Sequence, residues 1–503
     1  MQRWEVDMLS SAEFFEHDCR STLFPMETCR ILIKRGAAEL DAYIQRCLSK
    51  SGADVGHQFL AQTRVYAAKP YGHLRRTVKL DPVAEYFLYD LVYRNKSKFR
   101  KPFQENKKHF GYRFEDGDPI NPASSYAGFR QAIFAYGQNY KYSISFDVAS
   151  YFNSIYHHDI VSWFANINAD IDDVNSLGTF LRQSNSGRSV DCLPQGIYPT
   201  KMIGNDFLRF VEQHHGVKAE AAVRFMDDIV LFSDSRERLT EDFYLIQKLL
   251  GQKGLSVNPS KTQRDASSES EIEDGIDKIK QQLLRKRRQA TRNGYETDPG
   301  NVDDEIDLSD VEVAYLRNLL RTENLSEEDA ELVLSLFREY QDDIKPYLAQ
   351  FALNFPHLAK NIWSVCSHSE DRNFIGKLLL DISKNAALQE YQLFWFAWIL
   401  QDFLMQTSHA AELISNLYNH PNATLVSKAK ILEIPDNRFG LVEMRDEHLV
   451  AGRSDWLAWA SAVGHRNLPA ISRNHKLEYF ANSSQLNHLI MSIVTSYSDG
   501  AFE

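Results

Sequence analysis

Two adjacent carboxylates, Asp227 and Asp228, lie inside the apolar run AAVRFMDDIVLF at residues 221–232. Alternation before the acids and apolar residues after them predict two short strands joined by a tight turn, with the acids at the turn. An ionised carboxylate is costly to bury without a partner. The pair must therefore be exposed at a hairpin tip, matched by cations, or engaged with a metal ion. A solvated Asp-Asp turn is the simplest interpretation of this stretch alone.

The chain has 503 residues, of which 43% are hydrophobic and 12% aromatic, so two or three globular domains are expected. The N-terminal residues contain no apolar signal segment, and the longest apolar run, Phe394–Met405, is broken by Gln401 and Asp402. Five cysteines without CxxC spacing argue against a disulfide framework or a zinc site. A cytoplasmic protein that does not span a membrane is expected.

The net charge of -11 argues weakly against a protein that coats nucleic acid, but the basic residues are clustered. Residues 93–113 carry eight Lys or Arg against the single acid Glu105, with aromatic residues between them. Basic residues with aromatic residues between them are suited to bind phosphates and to stack on bases. A solvated surface segment has the same composition, so both interpretations stay open. A second basic cluster at 278–292 lies between acidic stretches, so we interpret 264–310 as an exposed, partly helical connector.

The pattern changes on either side of this connector. Upstream of about residue 265, short strand-like runs alternate with helices, whereas downstream of about residue 311 amphipathic helices follow one another. The second half is therefore predicted to be all-α. Its tryptophans are expected in the core, namely Trp395, Trp398, Trp456 and Trp459.

A third carboxylate, Asp147, lies in KYSISFDVASYFNSIYHH, where strand alternation turns into a helical pattern. Asp147 is thus predicted to end a strand at the start of a helix, where backbone N–H groups favour an anion such as a triphosphate. Phe152 follows five residues later and could lie under whatever binds beside the acid. An N-capping Asp followed by a core Phe is the alternative.

Carboxylates from separate strands match the needs of phosphoryl transfer with two divalent ions. Mg²⁺ accepts one or two protein carboxylates and lets substrate phosphates complete its coordination. One ion lowers the pKa of an attacking hydroxyl while the other neutralises the departing pyrophosphate. Asp147 and Asp227 are the predicted bridging pair for two Mg²⁺ ions, with Mn²⁺ as the substitute ion, and Asp228 is the outer ligand.

Two further stretches supply candidate residues, each of them weak by itself. Pro194, Gln195 and Gly196 break the chain just before a helical stretch, and the glycine permits the close backbone approach that a nucleotide needs. After the Asp pair, the stretch GLSVNPSKTQ is predicted to form a short strand and a turn that ends in Lys261. Lys261 could neutralise or protonate a leaving phosphate.

In this order, FDVASYF, LPQGIYPT, FMDDIVLF and NPSKT resemble palm motifs A, B, C and D of the reverse transcriptases. The resemblance implies that Asp147, Asp227 and Asp228 bind catalytic metals and that Phe152 is the steric gate that selects deoxynucleoside triphosphates. It also implies that Gln195 and Gly196 line the nucleotide and nascent-strand site and that Lys261 lies near the pyrophosphate. FGYR at 110–113 resembles the basic finger segment, which makes Arg113 a candidate for gripping the triphosphate.

The fold class implied is α+β: fingers and a palm with an antiparallel sheet and packed helices, followed by a large all-α domain. The expected boundaries are 1–140 for N-terminal helices and fingers, 141–264 for the palm, 265–310 for the connector and 311–503 for the helical domain. This order is similar to the abortive-infection (Abi) reverse transcriptases of bacterial phage defence, in particular their shorter, prophage-borne type.

That resemblance implies DNA synthesis without a template, primed by a tyrosine hydroxyl of the protein itself, in a homo-oligomer. The product would be single-stranded DNA attached covalently to the chain. Tyr43 is the candidate priming residue because it precedes the fingers, and simple packing of Tyr43 against a helix is the alternative. Two other functions stay open: a reverse transcriptase that copies a companion RNA, and an inactive polymerase fold that serves as a scaffold or phage sensor.

Overall fold

The computed structural model divides the chain into two compact units that are not contiguous in sequence. The first unit contains Met1–Thr22, Phe59–Ala61 and Tyr86–Gln281, and the second contains Leu23–Gln58, Gln62–Glu85 and Gln282–Glu503. The structure describes residues 10–49, 56–99, 105–191, 193–265, 278–293, 307–322 and 325–496.

The first unit combines a central sheet with helices, and α3 and α11 cross its border with the second unit. Its helices are α1 (Ser11–Cys19), α3 (Pro82–Arg94), α4 (Pro122–Asn139), α5 (Tyr151–Ser154), α6 (His157–Asn166), α7 (Ile171–Ser184), α8 (Tyr198–Phe207), α9 (Arg209–Glu212), α10 (Arg236–Gly251) and the start of α11 (Lys278–Asn293). Its strands are β3 (Lys107–Phe110), β4 (Phe114–Glu115), β5 (Asp118–Pro119), β6 (Tyr142–Phe146), β7 (Ala221–Phe225), β8 (Asp228–Ser233) and β9 (Gln263–Arg264).

Five of these strands form one sheet in the order β3-β7-β8-β6-β9. All neighbouring pairs are antiparallel except β3 and β7, which are parallel. The predicted hairpin is confirmed, because β7 and β8 pair in register from Ala221 opposite Phe232 to Phe225 opposite Asp228. The acids therefore lie at the hairpin turn, where the alternation placed them.

Helices cover the two faces of this sheet unequally. On one face, Phe129 and Ala132 of α4 pack against Val223 and Val230 of the hairpin. Asn121 caps α4, since its side chain accepts hydrogen bonds from the first free N–H groups of the helix. On the other face, α10 packs on the sheet. Because α4 covers β7 and β8, the first face is left open along β6 and β9.

In its described residues, the second unit is helical apart from one antiparallel hairpin of β1 (Thr63–Ala68) and β2 (Leu74–Lys79). Its helices are α2 (Glu27–Leu48), the remainder of α11, α12 (Asp310–Leu320), α13 (Glu327–Leu336), α14 (Gln341–Ile344), α15 (Leu348–Asn354), α16 (Ala359–Ser367), α17 (Arg372–Ile382), α18 (Glu390–Ile399), α19 (Ala410–Tyr418), α20 (Leu425–Leu432), α21 (Leu441–Val450), α22 (Trp456–Gly464), α23 (Ala470–Ala481) and α24 (Gln485–Thr495). The all-α pattern read downstream of residue 311 is confirmed for the described residues, and all four predicted core tryptophans are buried.

The compact units do not follow the boundaries predicted along the chain. Residues 23–58 and 62–85, which were expected to belong with the fingers, belong to the same unit as the C-terminal helices. Long-range bonds explain this arrangement: the Glu433 carboxylate accepts hydrogen bonds from the backbone and the hydroxyl of Thr28 at 2.8 Å. Of the predicted connector, residues 266–277 and 294–306 lie outside the described part of the chain.

Among the described residues, no helix combines the length and the apolar character needed to cross a bilayer.

Candidate active site

Asp147 follows directly after strand β6, as predicted, but it does not cap a helix. Its carbonyl accepts a hydrogen bond from the Asn258 N–H at 2.9 Å, which continues the strand pairing past Phe146. The next helix, α5, has only four residues and begins after Ser150, whose φ is 48°. The N-cap alternative is therefore wrong, and α5 is too short to provide the helix N-terminus expected for an anion.

The Asp pair occupies the turn between β7 and β8. Met226 at this turn has a φ of 55°, a left-handed conformation that a non-glycine residue adopts at some cost. Asp227 follows it and is partly exposed, and Asp228 is the exposed first residue of β8. Strand register brings the third acid to the same place: Phe146 of β6 pairs with Ile229 of β8, so Asp147 and Asp228 are the next residues on each strand.

Lys261 supplies the cation of this cluster. It ends a short 3-10 turn, Pro259–Lys261, that is capped by the side chain of Asn258. The Lys261 ammonium lies 2.7 Å from Oδ2 of Asp147, and this hydrogen bond raises the pKa of Lys261. The lysine predicted from NPSKT is thus charged and beside the strand-ending acid.

The three carboxylates affect one another electrostatically. Burial is the main cause that raises the pKa of Asp227 to about 6, and the charges of Asp228 and Asp147 raise it further. Asp228 is exposed as a residue, but desolvation of its carboxyl by the protein atoms around it still raises its pKa, with Lys261 opposing the effect and Asp147 adding to it. A divalent cation bound between carboxylates with raised pKa values stabilises their ionised forms and removes the repulsion between them.

One observation indicates that the cluster suits such a cation. Oδ1 of Asp147 is buried and accepts no hydrogen bond from any described residue, although a buried polar atom normally has a partner. Within the described ranges, no group of three or more His, Cys, Asp or Glu side chains, this cluster included, is arranged so that it could hold a metal ion without further ligands. An ion that takes one or two carboxylates and fills its coordination with water and substrate phosphate, as Mg²⁺ does, fits this donor set.

This electrostatic arrangement predicts how stability depends on pH in the metal-free protein. The folded state retains the Asp227 proton up to a pKa of about 6, whereas an unperturbed Asp releases it near 3.8. Below pH 3.8 Asp227 is protonated in both the folded and the unfolded state, so its ionisation does not change the free energy of unfolding. Above pH 6 it is ionised in both states, and the free energy of unfolding is lowered by the full amount. We expect Asp227→Asn to raise the free energy of unfolding by about 1–3 kcal/mol at pH 8, and much less at pH 4.5.

Thermal unfolding in EDTA at both pH values measures this effect, and Asp118→Asn, a change at an exposed acid on β5, is the matched control. Adding Mg²⁺ at pH 8 should stabilise the wild-type protein more than Asp227→Asn. Equal responses of the two proteins at both pH values would contradict the electrostatic account.

A buried arginine that sequence reasoning overlooked holds the turn in place. Arg224 is 1% exposed, and its Nη1 donates to the Met226 carbonyl at 2.8 Å. The same guanidinium bonds Glu212 of α9 at 2.9 Å and the Asn205 side chain of α8 at 3.0 Å. Arg224 therefore ties the acid-bearing turn to two helices. The available signal was an arginine inside the apolar run AAVRF.

The motif A and motif B segments are in close contact. A Cβ added to Gly204 of α8 would lie 2.9 Å from the ring of Phe152, so only a glycine allows this approach without displacing the ring. The Tyr151 hydroxyl donates to the Gly204 carbonyl at 2.6 Å. Near the start of α8, the Gln195 amide donates to Asn153 at 2.9 Å, and Gly196 has a φ of 107° that favours glycine.

Arg113 is anchored to the same helix through its backbone. The Tyr198 hydroxyl lies 2.7 Å from the Arg113 carbonyl, which it can donate to, and 3.2 Å from the Arg113 N–H, which donates to it. The guanidinium is partly exposed and lies 3.5 Å from Glu115. Backbone anchoring with a loosely held side chain suits a residue that grips a phosphate.

Tyr43, the candidate priming residue, is part of the second compact unit. It belongs to α2, is buried, and its ring centroid is 4.9 Å from that of His57. Burial raises its pKa well above the ordinary value. A buried phenol with a raised pKa is poorly accessible and hard to ionise, so this placement argues against Tyr43 as the priming residue.

A match to one protein family agrees with the reverse transcriptase motifs. Residues 94–280 match the family described as reverse transcriptase (RNA-dependent DNA polymerase). A solved structure of telomerase from Candida albicans, in complex with a TWJ fragment of telomeric RNA, is similar at 11% identity and a TM-score of 0.29. The similarity covers 76% of this chain and 64% of the telomerase chain. A search of curated protein sequences finds no match. The family match shows that residues 94–280 have the reverse transcriptase fold.

Proposed function

We propose that this chain is a DNA polymerase that adds deoxynucleotides by two-metal catalysis and acts in abortive-infection defence against phage. The observation that carries the catalytic part is the meeting of Asp147 with the Asp227–Asp228 turn, with an unbonded buried oxygen on Asp147. The defence role rests on the resemblance to the Abi enzymes.

Each residue of the cluster has a role in this proposal. Asp147, Asp227 and Asp228 would hold two Mg²⁺ ions, which when bound supply activation of the attacking hydroxyl and neutralisation of the pyrophosphate. Lys261, already charged beside Asp147, stabilises or protonates the leaving group. Arg113 binds the triphosphate from the finger side. Gln195 and Gly196 contact the base and sugar at the start of α8.

Selection of the sugar is assigned to Phe152. Its ring lies close against Gly204 of α8, which limits the space on that side of the ring, and we expect a 2'-hydroxyl directed at the ring to clash with it. We expect Phe152→Val to reduce the preference for deoxynucleotides over ribonucleotides about 10- to 100-fold. The ratio of the two incorporation efficiencies measures this change. An unchanged ratio in a folded variant would remove Phe152 from this role.

Priming is the second part of the proposal: synthesis starts on a tyrosine hydroxyl of the protein and needs no template. A phenol is a suitable acceptor, because its oxygen attacks the α-phosphate, forms the new O–P bond and releases pyrophosphate. Among the described residues, both units contain exposed tyrosines. The exposed tyrosines are Tyr66, Tyr71, Tyr126, Tyr156, Tyr244 and Tyr479.

Intact mass spectrometry of freshly purified protein, with and without nuclease, tests this part. Covalently attached DNA that is absent from Asp227→Asn would support priming by the protein, and peptide mapping would identify the tyrosine. Protein that is free of DNA and requires an added primer would reject priming by the protein.

We also propose that the chain forms a homo-oligomer. Light scattering of the purified protein measures its mass in solution and tests this proposal.

Templated synthesis is the second candidate, favoured by the matched family, which is described as RNA-dependent. Incorporation with one deoxynucleotide at a time separates the two functions. Dependence on the sequence of an added RNA would establish the templated reaction, whereas a fixed nucleotide preference without RNA would support the proposed one.

A further inference from the structure

We propose that the cleft between α4 and the β6–β9 edge is a binding groove for single-stranded DNA, the growing strand of the proposed polymerase. This inference rests on the proposed function and adds the path of its product. The cleft has a volume of about 540 Å³, and Asp147, Asp228 and Lys261 line one part of it. The catalytic cluster therefore opens directly into the groove.

One wall of the groove carries aromatic rings at helical spacing. Tyr126, Arg130, Phe134 and Gly137 of α4 all line the cleft, three or four residues apart, and so form one stripe of the helix. Tyr126 is 44% exposed and Phe134 is 43% exposed, which is unusual for large rings on a helix that also packs on a core. Exposed rings in a row offer the stacking surfaces that unpaired bases require.

The charges of the groove change along its length. Asp147, Asp228 and Lys261 lie at one end, Arg130 lines the middle on α4, and Lys141 lines the other end together with the acid Asp265. Asp265 is paired with Arg236 of α10 at 2.5 Å, and the Arg236 guanidinium lies 4.8 Å from the ring centroid of Tyr142 on β6. Cations beside stacking rings suit the phosphates of a strand whose reacting end lies at the carboxylates.

The groove is also fixed in width. The opposite side of α4 is part of the core, where Phe129 and Ala132 pack on Val223 and Val230. Moving α4 away from β6 would expose these residues to water and is therefore unfavourable. A duplex, whose bases are already paired and stacked, gains nothing from the exposed rings. The geometry points to a single strand.

Binding of a fluorescent ten-nucleotide oligothymidylate, followed by anisotropy in EDTA, tests the groove. The Asp227→Asn protein is used so that no self-made DNA competes for the site. We expect Tyr126→Leu with Phe134→Leu, which keeps apolar bulk but removes the rings, to weaken binding about 10- to 100-fold, since each stacked base contributes about 1–3 kcal/mol. Tyr244→Leu, a 58% exposed ring on α10, is the matched control and should bind normally.

A second pair of variants changes Gly137, a residue of α4 that does not belong to the core between α4 and the sheet. Gly137 lines the groove, and a Cβ added to it meets no atom within 4 Å, so longer side chains fit there. Gly137→Glu should weaken oligothymidylate binding several-fold because its charge repels phosphate, whereas the nearly isosteric Gly137→Gln should bind close to the starting protein. Both changes replace glycine within a helix and should not reduce stability.

Normal binding by both the double-leucine and the Gly137→Glu variants would overturn the groove, as would equally tight binding of a ten-base-pair duplex through the same residues. Failure of the proposed function has a different signature. The wild-type protein would then incorporate no deoxynucleotide, while oligothymidylate binding would still respond to the groove variants.

Discussion

Asp227→Asn is expected to reduce deoxynucleotide incorporation by about 10³-fold or more, because a neutral amide no longer compensates the charge of a bound divalent ion. Asp227 lies at the β7–β8 turn with two other acids, and its pKa of about 6 leaves it ionised at pH 8. The measurement is the initial rate of incorporation of a radiolabelled deoxynucleotide with Mg²⁺, both with and without an added primer and template.

Asp118→Asn is the control, because it changes an exposed acid elsewhere in the same unit and should retain the wild-type rate. The stability change expected of Asp227→Asn has the opposite sign to the activity change: the variant is more stable without metal and yet inactive. A variant that retained more than a tenth of the activity would show that Asp227 does not hold a catalytic ion.

Arg224→Met is expected to have the largest effect on stability. It leaves Glu212 buried without its main cation, and breaking a buried ion pair on one side costs about 3–5 kcal/mol. It also removes the bond from Arg224 to the Met226 carbonyl, which holds the acid-bearing turn. Unfolding measured by circular dichroism should show the loss, and incorporation should fall with it.

The double change Arg224→Met with Glu212→Leu separates these two consequences. An apolar pair of similar volume often restores most of the stability of a buried ion pair. The turn, however, remains unheld at Met226, so incorporation should stay low in the restabilised protein. Recovery of activity together with stability would mean that Arg224 acts only through folding and does not position the turn.

The alternation of apolar and polar residues predicted those parts of the site that depend on neighbouring residues in the sequence. The alternation around Asp227 and Asp228 gave the hairpin, and the alternation before Asp147 gave the end of β6. Antiparallel pairing of β6 with β8 then brings the acids together. The order of the short motifs along the chain suggested this arrangement, although five of the described helices lie between β6 and the β7–β8 hairpin.

Long-range contacts could not be predicted in the same way. The partner of Arg224 is twelve residues away on a helix, and Thr28 bonds a glutamate more than four hundred residues away. No periodicity records such pairs. For the same reason, Tyr43 was an attractive candidate by position alone, whereas its burial depends on contacts with residues such as His57.

The central claim is that Asp147 and the Asp227–Asp228 turn share two divalent ions beside a bound deoxynucleotide. Electron paramagnetic resonance can count the Mn²⁺ ions bound per chain in the presence of a non-hydrolysable deoxynucleotide analogue. We predict two ions in the wild-type protein and in Asp118→Asn, and fewer in Asp147→Asn and Asp227→Asn. Two ions bound with unchanged affinity in both of these site variants would contradict the claim.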